Sequence, residues 1–582
     1  MNSQRSRRTR PKRKSDADQA VDFSWGVKIP MRDGAHLNAT LYKPKGEAKT
    51  PVVFTLTPYV ADTYHERSVF FARNGYAFAL VDCRGRGNSS GEFEPFVNEG
   101  RDGYDVVEWL SRQPWSNGSV TMWGGSYAGF DQWSTLKEFP PHLKTIVPVA
   151  SAYPGFDFPF IRNIWYPYMI QWLTLTSGKP ANNALFNDTA FWIEKYREHY
   201  IAKRPFRELD KTVGNSSTIF QEWFKHLVPD AYWNSMVPSP EQYPKIKVPI
   251  LTITGQYDGD QQGALEHYNR HMRYGSSWAK EHHYMIIGPW DHPGTRTPKR
   301  EVGGLTFGEA SLIDLNQLHK EWYDWTMKSG KKPAFLKKRV AYYVTGAEKW
   351  KYADSLEGIS SKNQTLYLSV AAKPLGAFST GIVQPQKPGK LPPDEYVYDP
   401  LDTSQADVER DEVKNFITDQ RYAINLSGDS LVYHSKPFGE ETEISGFVRL
   451  VAWISMDVPD TDFWVRLYEI KHDGTSIFLT EDWMRARYRE SATTARFVKP
   501  GKIERYEFDK FYFFSRAIAK RSILRLVIRP PNSIYWQKNY NSGRDVSEES
   551  ATDARTAHVK VFHDPEHAGF LAVPTAKPIK FA

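Results

Sequence analysis

The sequence contains a single cysteine, Cys83, among its 582 residues. One cysteine excludes a disulfide within the chain and any cysteine-rich metal site. The sequence also lacks an apolar run of about 18 residues, the length that a transmembrane helix requires, so we expect no membrane span. No apolar segment follows the first basic residues in the manner of a secretory signal, which predicts a cytoplasmic protein.

Acidic residues are absent from the first 14 residues, which contain seven lysines and arginines. Since the net charge of the whole chain is +8, the remainder is close to neutral. Such a segment is typical of a disordered, solvated tail, which we predict for residues 1–20. We favour this interpretation over a nucleic-acid-binding arm.

The rest of the composition is typical of a globular protein, with 40% hydrophobic and 25% charged residues. A chain of 582 residues is too long for one hydrophobic core, so we expect several structural units. The sequence shows no repeat period. The units must therefore be recognised from changes in residue pattern along the chain.

Short apolar segments alternate with helical patterns in two parts of the chain. A hairpin is predicted at residues 24–44, and strands are predicted at 51–57, 76–82, 120–123, 145–150, 250–254 and 283–287. This alternation is typical of a parallel sheet covered by helices on both faces. We therefore predict an α/β domain formed by residues 21–151 and 245–345.

Two other parts of the chain have different patterns. Residues 152–244 are rich in aromatic residues at helical spacing, which predicts a helical cap inserted into the α/β domain. Residues 346–582 contain many short strand candidates separated by turn signals, including one at 443–450. This pattern predicts a β-sandwich or jelly-roll domain.

The segment Gly124–Gly129 carries the strongest chemical signal. It follows the apolar run Val120–Trp123 and places Ser126 between small residues. A buried strand that leads into Gly-x-Ser and then a helix predicts a nucleophile elbow. The neighbours must be small because the serine occupies a sharp, strained turn. Ser126 is therefore the candidate nucleophile.

A catalytic serine requires a histidine base and an acid that orients it. In α/β-hydrolases these residues follow the serine in the order acid, then histidine. Asp258 follows the strand predicted at 250–254, and His292 follows the strand predicted at 283–287. We predict that Ser126, Asp258 and His292 form a triad, which needs no metal or organic cofactor.

Other acids and histidines near these positions are alternatives. Asp260 and Asp291 are interpreted as surface or supporting carboxylates. His267 and His271 lie one helical turn apart and are predicted to lie on a helix surface. The segment that begins at Asp258 resembles the start of a calcium loop, but its fifth and twelfth positions are unsuitable, so no metal site is predicted.

Several segments together resemble the CocE/NonD group of α/β-hydrolases. This group includes cocaine esterases, X-Pro dipeptidyl-peptidases, α-amino acid ester hydrolases and glutaryl-cephalosporin acylases. The matching segments are Gly124–Gly129, Asp82–Gly91, the approach to the elbow from Asp105 to Gly118, and Gly288–His292. Ala128 replaces the glycine of the commoner Gly-x-Ser-x-Gly pentapeptide, and Gly129 follows it, as the resemblance expects. The resemblance covers about residues 24–582.

The resemblance implies an oxyanion hole with two donors. They would be the hydroxyl group of Tyr59, which follows Pro58 at a strand end, and the backbone N–H of Tyr127. One such donor is typically worth about 10²–10³ in rate. The alternative is that Tyr59 is only a packing residue.

The sequence therefore predicts a serine hydrolase that cleaves an ester or acyl-amide bond. An X-Pro dipeptidyl-peptidase is the alternative within the group, and a non-catalytic ligand-binding module is the alternative from another class. The expected partner is a small ester, an amide or a short peptide, and a homo-oligomer stays open. Recognition of a free amino group would need carboxylates near the cap, for which the candidates are Asp157, Asp188, Glu194 and Asp260.

Overall fold

A computed structural model describes residues 21–46, 48–360, 362–371 and 378–582. The basic tail predicted for residues 1–20 lies outside these ranges. Within them, two large sheets dominate the structure. No helix in the described ranges combines the length and the apolar character needed to cross a bilayer.

The strands of residues 21–353 build the first sheet and two separate strand pairs. In chain order these strands are β1 (Val21–Pro30), β2 (His36–Pro44), β3 (Thr50–Thr57), β4 (Ala77–Asp82), β5 (Ser116–Ser126), β6 (Leu143–Ser151), β7 (Phe160–Ile161), β8 (Ile164–Trp165), β9 (Ile250–Tyr257), β10 (His283–Asp291), β11 (Glu301–Val302), β12 (Leu305–Thr306), β13 (Val340–Val344) and β14 (Lys349–Ala353). Among the described residues, ten of them form one sheet in the order β1-β2-β4-β3-β5-β6-β9-β10-β13-β14. The pairs β7–β8 and β11–β12 stand apart.

Helices cover this sheet and form the inserted region. They are α1 (His65–Arg73), α2 (Glu99–Ser111), α3 (Tyr127–Leu136), α4 (Tyr168–Leu175), α5 (Asn183–Phe186), α6 (Thr189–Ala202), α7 (Leu209–Thr212), α8 (Thr218–Trp223), α9 (Ala231–Asn234), α10 (Gln261–Tyr274), α11 (Ser277–Glu281) and α12 (Leu315–Met327). Helices α4 to α9 lie in residues 152–244, the region predicted as a cap.

In the order of the sheet, the strands from β4 through β3 to β13 run parallel, and the antiparallel strands β1, β2 and β14 lie at its two edges. Central strands are apolar because both faces are covered, and Val52, Val53 and Phe54 are completely buried. The carboxyl ends of β5, β9 and β10 therefore meet at one edge, where ligands bind in open α/β sheets. This arrangement confirms the predicted α/β-hydrolase fold.

The predicted limits of the domains stay predictions, and one of them needs adjustment. Strand β14 pairs antiparallel with β13 over five residue pairs, from Val340–Ala353 to Val344–Lys349. It therefore extends the first sheet beyond residue 345. We propose that the α/β domain ends after Ala353.

The second sheet belongs to the C-terminal part of the chain, which confirms the prediction of a β-rich domain. Its region contains β15 (Asn363–Val370), β16 (Gly381–Gln384), β17 (Asp394–Tyr398), the short helix α13 (Gln405–Val408), β18 (Leu431–His434), β19 (Thr442–Gly446), β20 (Arg449–Met456), β21 (Asp462–Ile470), β22 (Ser476–Arg485), β23 (Glu504–Phe508), β24 (Phe514–Ile518), β25 (Ile523–Arg529), β26 (Ala557–Phe562) and β27 (Phe570–Pro574). In the described part of the chain, eleven of these strands form one sheet, and β19 pairs separately with β24.

The single strand predicted at 443–450 is wrong, since two strands occupy this segment. Gly446 ends β19 with φ +130°, a backbone conformation that glycine adopts readily. The chain changes direction there, so that β19 pairs with β24 while β20 joins the large sheet. The apolar pattern continues through both strands, which explains why it did not mark the break.

Hydrogen bonds join the C-terminal domain to the active-site edge of the first sheet. The amide of Gln256, in β9, accepts from Ser515 N at 2.9 Å. The side chain of Gln261, at the start of α10, accepts from Phe513 N at 2.7 Å and donates to Phe513 O at 3.0 Å. The C-terminal domain is therefore fixed against the loop that carries Asp258.

Candidate active site

Ser126 lies at the junction between β5 and α3 with φ +62° and ψ −124°. This left-handed conformation is strained for a residue with a side chain and is typical of functional sites. The neighbouring residues are small because a Cβ at Gly124 would lie 2.6 Å from Ala128 Cβ, and one at Gly129 would lie 2.6 Å from Val149 O. The local sequence thus fits the predicted elbow.

The structure brings His292 and Asp258 together. His292 Nδ1 lies 2.7 Å from Asp258 Oδ1, and the same carboxylate accepts from Thr254 Oγ1 and from Asp260 N, each at 3.0 Å. Burial by itself raises the pKa of Asp258, but the charge of His292 and these hydrogen bonds outweigh it, so the pKa lies below its usual value. The pair is therefore suited to stabilise an imidazolium.

Asp260 lies close to both the serine and the histidine. The Ser126 hydroxyl donates to Asp260 Oδ2 at 3.4 Å rather than to His292, and Asp260 Oδ2 lies 3.8 Å from His292 Nδ1. Burial is the main cause that raises the pKa of Asp260 to about 6. Burial lowers the pKa of His292, but the negative charges of Asp260 and Asp258 raise it by a larger amount. The pKa of His292 therefore lies above its usual value. Serine–histidine contacts in unbound enzymes are often long.

Tyr59 and Tyr127 both line the pocket that contains Ser126. The Tyr59 hydroxyl accepts from Trp172 Nε1 at 3.0 Å, which leaves its own proton for donation, and burial raises its pKa. Tyr127 is the first residue of α3, so its backbone N–H has no acceptor within the helix. Its hydroxyl donates to Glu99 Oε1 at 2.5 Å and accepts from Phe96 N at 2.7 Å, which fixes the ring in the pocket wall.

Arg86 supports the strand end that carries Tyr59. Its fully buried guanidinium donates to Pro58 O at 2.8 Å, to Thr176 O at 2.6 Å and to Pro180 O at 3.2 Å. The first carbonyl precedes Tyr59, and the other two lie in the inserted helical region. The segment Asp82–Gly91, which contains Arg86, resembles the family, but its sequence does not predict these hydrogen-bond partners.

The pocket has a volume of about 440 Å³ and a largely aromatic lining. The inserted region contributes Phe158, Tyr166, Tyr168 and Trp172, and the C-terminal domain contributes Trp483, Tyr512 and Trp536. Ser126 and His292 lie in its wall. The predicted nucleophile and base, Ser126 and His292, therefore line one pocket with the predicted oxyanion-hole residues Tyr59 and Tyr127.

Two of the four candidate carboxylates for amino-group binding line this pocket, namely Asp157 and Asp260. Asp157 accepts from Tyr153 N at 2.7 Å and from Gly263 N at 2.6 Å, and burial raises its pKa well above the usual value. Asp188 instead caps α6 by accepting from Phe191 N at 3.1 Å, and Glu194 is exposed. Neither of these two lines the pocket.

The prediction that His267 and His271 lie on a helix surface is wrong, because both are completely buried. His267 stacks on Trp133 and bonds Ala152 O through Nε2 at 3.1 Å. His271 Nδ1 lies 2.8 Å from His283 Nδ1. Helix α10 is covered by other parts of the fold on this face, and its sequence pattern did not reveal that.

The chain matches two family descriptions. Residues 33–294 match the X-Pro dipeptidyl-peptidase (S15 family), and residues 334–571 match the X-Pro dipeptidyl-peptidase C-terminal non-catalytic domain. The chain is also 24% identical to a cocaine esterase from Rhodococcus sp. (strain MB1 Bresler) over 586 residues, which cover 95% of this chain and 98% of that protein.

Solved structures share the fold. An aminopeptidase from a marine sediment archaeon, Thaumarchaeota archaeon, has a TM-score of 0.81 at 21% identity, covering 98% of this chain and 99% of that one. An α-amino acid ester hydrolase has a TM-score of 0.81 at 20% identity, covering 97% and 98%. The two family matches and the similarity to a cocaine esterase identify the chain as a serine hydrolase with an S15-family region at residues 33–294, whereas the solved structures show the fold alone.

Proposed function

We propose that this hydrolase cleaves an ester or acyl-amide bond through an acyl-enzyme on Ser126. The observation that carries the proposal is that Ser126, on its strained turn, shares one pocket with His292, whose Nδ1 is bonded to Asp258. This bond leaves Nε2 of His292 as the atom that can exchange a proton with substrate and serine.

In the first half-reaction, Ser126 Oγ bonds to the substrate carbonyl carbon and passes its proton to His292 Nε2. The carbonyl π electrons move onto the oxygen, which accepts hydrogen bonds from the Tyr59 hydroxyl and the Tyr127 N–H. When the carbonyl reforms, the bond to the alcohol or amine breaks, and His292 gives its proton to that leaving group.

The second half-reaction repeats these steps with water. His292 takes a proton from water as the oxygen attacks the acyl carbon, and Ser126 Oγ leaves with that proton. Asp258 stays ionised throughout and stabilises the imidazolium. Membership of a serine hydrolase family supports this route over the alternative of a non-catalytic binding module.

A fluorophosphonate probe tests the nucleophile. We expect labelling of the protein and of Ser119→Ala, a substitution at the other end of β5, and loss of labelling in Ser126→Ala. Ester hydrolysis should be lost in parallel. Labelling of Ser126→Ala at the rate of the unmodified protein, or full hydrolysis by that variant, would contradict the proposal.

An X-Pro dipeptidyl-peptidase is the second candidate, and Asp157 and Asp260 are the observation that favours it. Two carboxyl groups in one aromatic pocket suit the ammonium group of an amino acid or peptide N-terminus. A panel of aryl esters, amino acid esters, cephalosporin amides and Xaa-Pro anilides separates the candidates. Preference for Xaa-Pro anilides, and loss of that preference in Asp260→Asn, would favour the peptidase.

A further inference from the structure

A second chamber of about 420 Å³ adjoins the pocket of Ser126. The two share Gly259, Glu481, Tyr512 and Tyr535 in their linings, so they form neighbouring compartments. Helix α6 of the inserted region closes one side of the chamber, and the C-terminal domain supplies most of the rest. Asp258 also lines the chamber, but the mechanism proposed above uses none of the residues that the C-terminal domain contributes to it.

Arg466, in β21, is the notable polar residue of the chamber lining. Its side chain is only 9% exposed. The guanidinium carbon lies 4.6 Å from the ring centres of Trp464 and Phe478, 5.1 Å from that of Tyr422 and 5.2 Å from that of Tyr468. Four rings therefore fix the position of this cation.

The hydrogen-bonding capacity of Arg466 is not used up by the protein. Its Nε lies 2.9 Å from Glu481 Oε2, on the adjacent strand β22, but without the alignment of a hydrogen bond. The same oxygen already accepts from Trp464 Nε1 at 2.9 Å. Nε is thus occupied by this ion pair and shielded from the chamber, whereas Nη1 and Nη2 make no hydrogen bond within the described residues and are not among the fully buried atoms that lack a partner. These two terminal donors can therefore bind an acceptor in the chamber that Arg466 lines.

The charges of the chamber indicate the kind of acceptor. Glu481 balances Arg466, and Asp419 forms an ion pair with Arg421 at 2.9 Å. Two further carboxylates line the chamber, namely Asp258, which is bonded to His292, and Glu412, which is exposed. An anion would be repelled by Glu481, Asp258 and Glu412 and would find no unbalanced cation, whereas an uncharged carbonyl oxygen avoids that repulsion and can still accept from Arg466.

We propose that this chamber is a second substrate subsite, in which Arg466 donates to an uncharged amide or ester carbonyl on an aromatic extension of the substrate. The subsite rests on the proposed function, since it selects the substrate whose bond Ser126 cleaves. It gives the C-terminal domain a part in substrate selection and none in the covalent steps.

Matched 4-nitrophenyl esters test the subsite with the unmodified protein. One acyl series ends in an anilide, a second replaces the amide with methylenes, and a third ends in a carboxylate, each with spacers of increasing length. A parallel set carries the same groups on the phenol side. We expect one anilide to exceed its methylene match by about tenfold or more in kcat/KM, the typical effect of a hydrogen bond to a charged donor.

Two arginine variants assign the effect. Arg466→Met should bring the ratio of anilide to methylene ester close to one. Arg529→Met is the matched control, because Arg529 packs on Tyr422 and Trp464 but does not line the chamber. It should keep the ratio of the unmodified protein. Thermal melts of both variants check that they fold, and the substrate ratio of the unmodified protein tests the subsite without either variant.

The outcomes separate the two proposals. Equal rates for every anilide and methylene pair, or a ratio unchanged by Arg466→Met in folded protein, would overturn the subsite. Preference for the carboxylate series would overturn the uncharged acceptor. Full hydrolysis by Ser126→Ala would overturn the proposed function instead, and that measurement uses 4-nitrophenyl acetate, which carries no amide extension for Arg466 to bind.

Discussion

The two large sheets use buried charge in different ways. The catalytic sheet has apolar central strands and places its active-site carboxylates, Asp258 and Asp260, after the end of β9. Strand β21 of the C-terminal sheet is buried along its whole length and still contains Asp462, Arg466 and Glu469. Under the proposed mechanism, the charges at this edge of the first sheet tune proton transfer, whereas those of the second sheet join strands and segments.

The ion pairs of the C-terminal domain show this structural use. Arg485 bonds Asp462 through Nε and Nη2, each at 2.9 Å, and its Nη1 donates to Asn163 O of the inserted region at 2.7 Å. Arg487 bonds Asp460 at 2.8 Å. Removing one member of such a pair leaves an uncompensated charge, so the pairs fix the arrangement of the strands.

The largest effect is expected on kcat, after substitution of the predicted triad acid Asp258. Asp258→Asn should lower kcat by about 10⁴, because His292 loses the partner that fixes its tautomer and stabilises its charged form. Steady-state kinetics with an aryl ester measures it. Asp291→Asn is the control, since that carboxylate neighbours His292 but accepts from Gly294 N at 2.8 Å. Similar losses in both variants would contradict the assignment of Asp258.

The structural use of buried charge in the C-terminal domain should be visible in the free energy of unfolding. Arg485→Met is expected to lower the free energy of unfolding by about 3–5 kcal/mol, because it leaves Asp462 buried without its cation. Urea unfolding followed by fluorescence measures this change. Arg410→Met, in an exposed pair with Asp407, should change stability by less than about 0.5 kcal/mol. Equal effects of the two variants would refute the distinction.

A smaller catalytic effect is expected at Tyr59. Tyr59→Phe should lower kcat by about 10²–10³ with little change in KM, since the hydroxyl would act only on the transition-state oxyanion. Tyr168→Phe removes another hydroxyl from the same pocket and should retain most of kcat. A rise in KM alone for Tyr59→Phe would instead indicate a packing residue.

The smallest effect concerns pH. His292 must be neutral to accept the serine proton, so kcat/KM falls as the pH drops through its pKa. Asp260 raises that pKa, and Asp260→Asn should therefore shift the acidic limb of the kcat/KM profile to lower pH. Asp291→Asn should leave the limb in place. A shift to higher pH after Asp260→Asn would contradict this electrostatic role.

More of the chemistry of the site than of its packing could be predicted from the sequence. Ser126, Asp258 and His292 follow strand ends in a required order, so local patterns indicate them, although their roles remain proposals. Trp172 and Arg466 carry no such local signal. Their contacts with Tyr59 and with the second chamber depend on how distant segments meet, as does the burial of His267.

The guanidinium of Arg86 makes the cap and the strand end at Pro58 mechanically dependent on each other. One buried cation, with backbone carbonyls as hydrogen-bond acceptors, holds Pro58 on one side and Thr176 and Pro180 on the other. Separating them would break these hydrogen bonds and leave the buried charge without acceptors, which costs several kcal/mol. Lifting the cap at this segment and releasing the residue before Tyr59 are therefore one event.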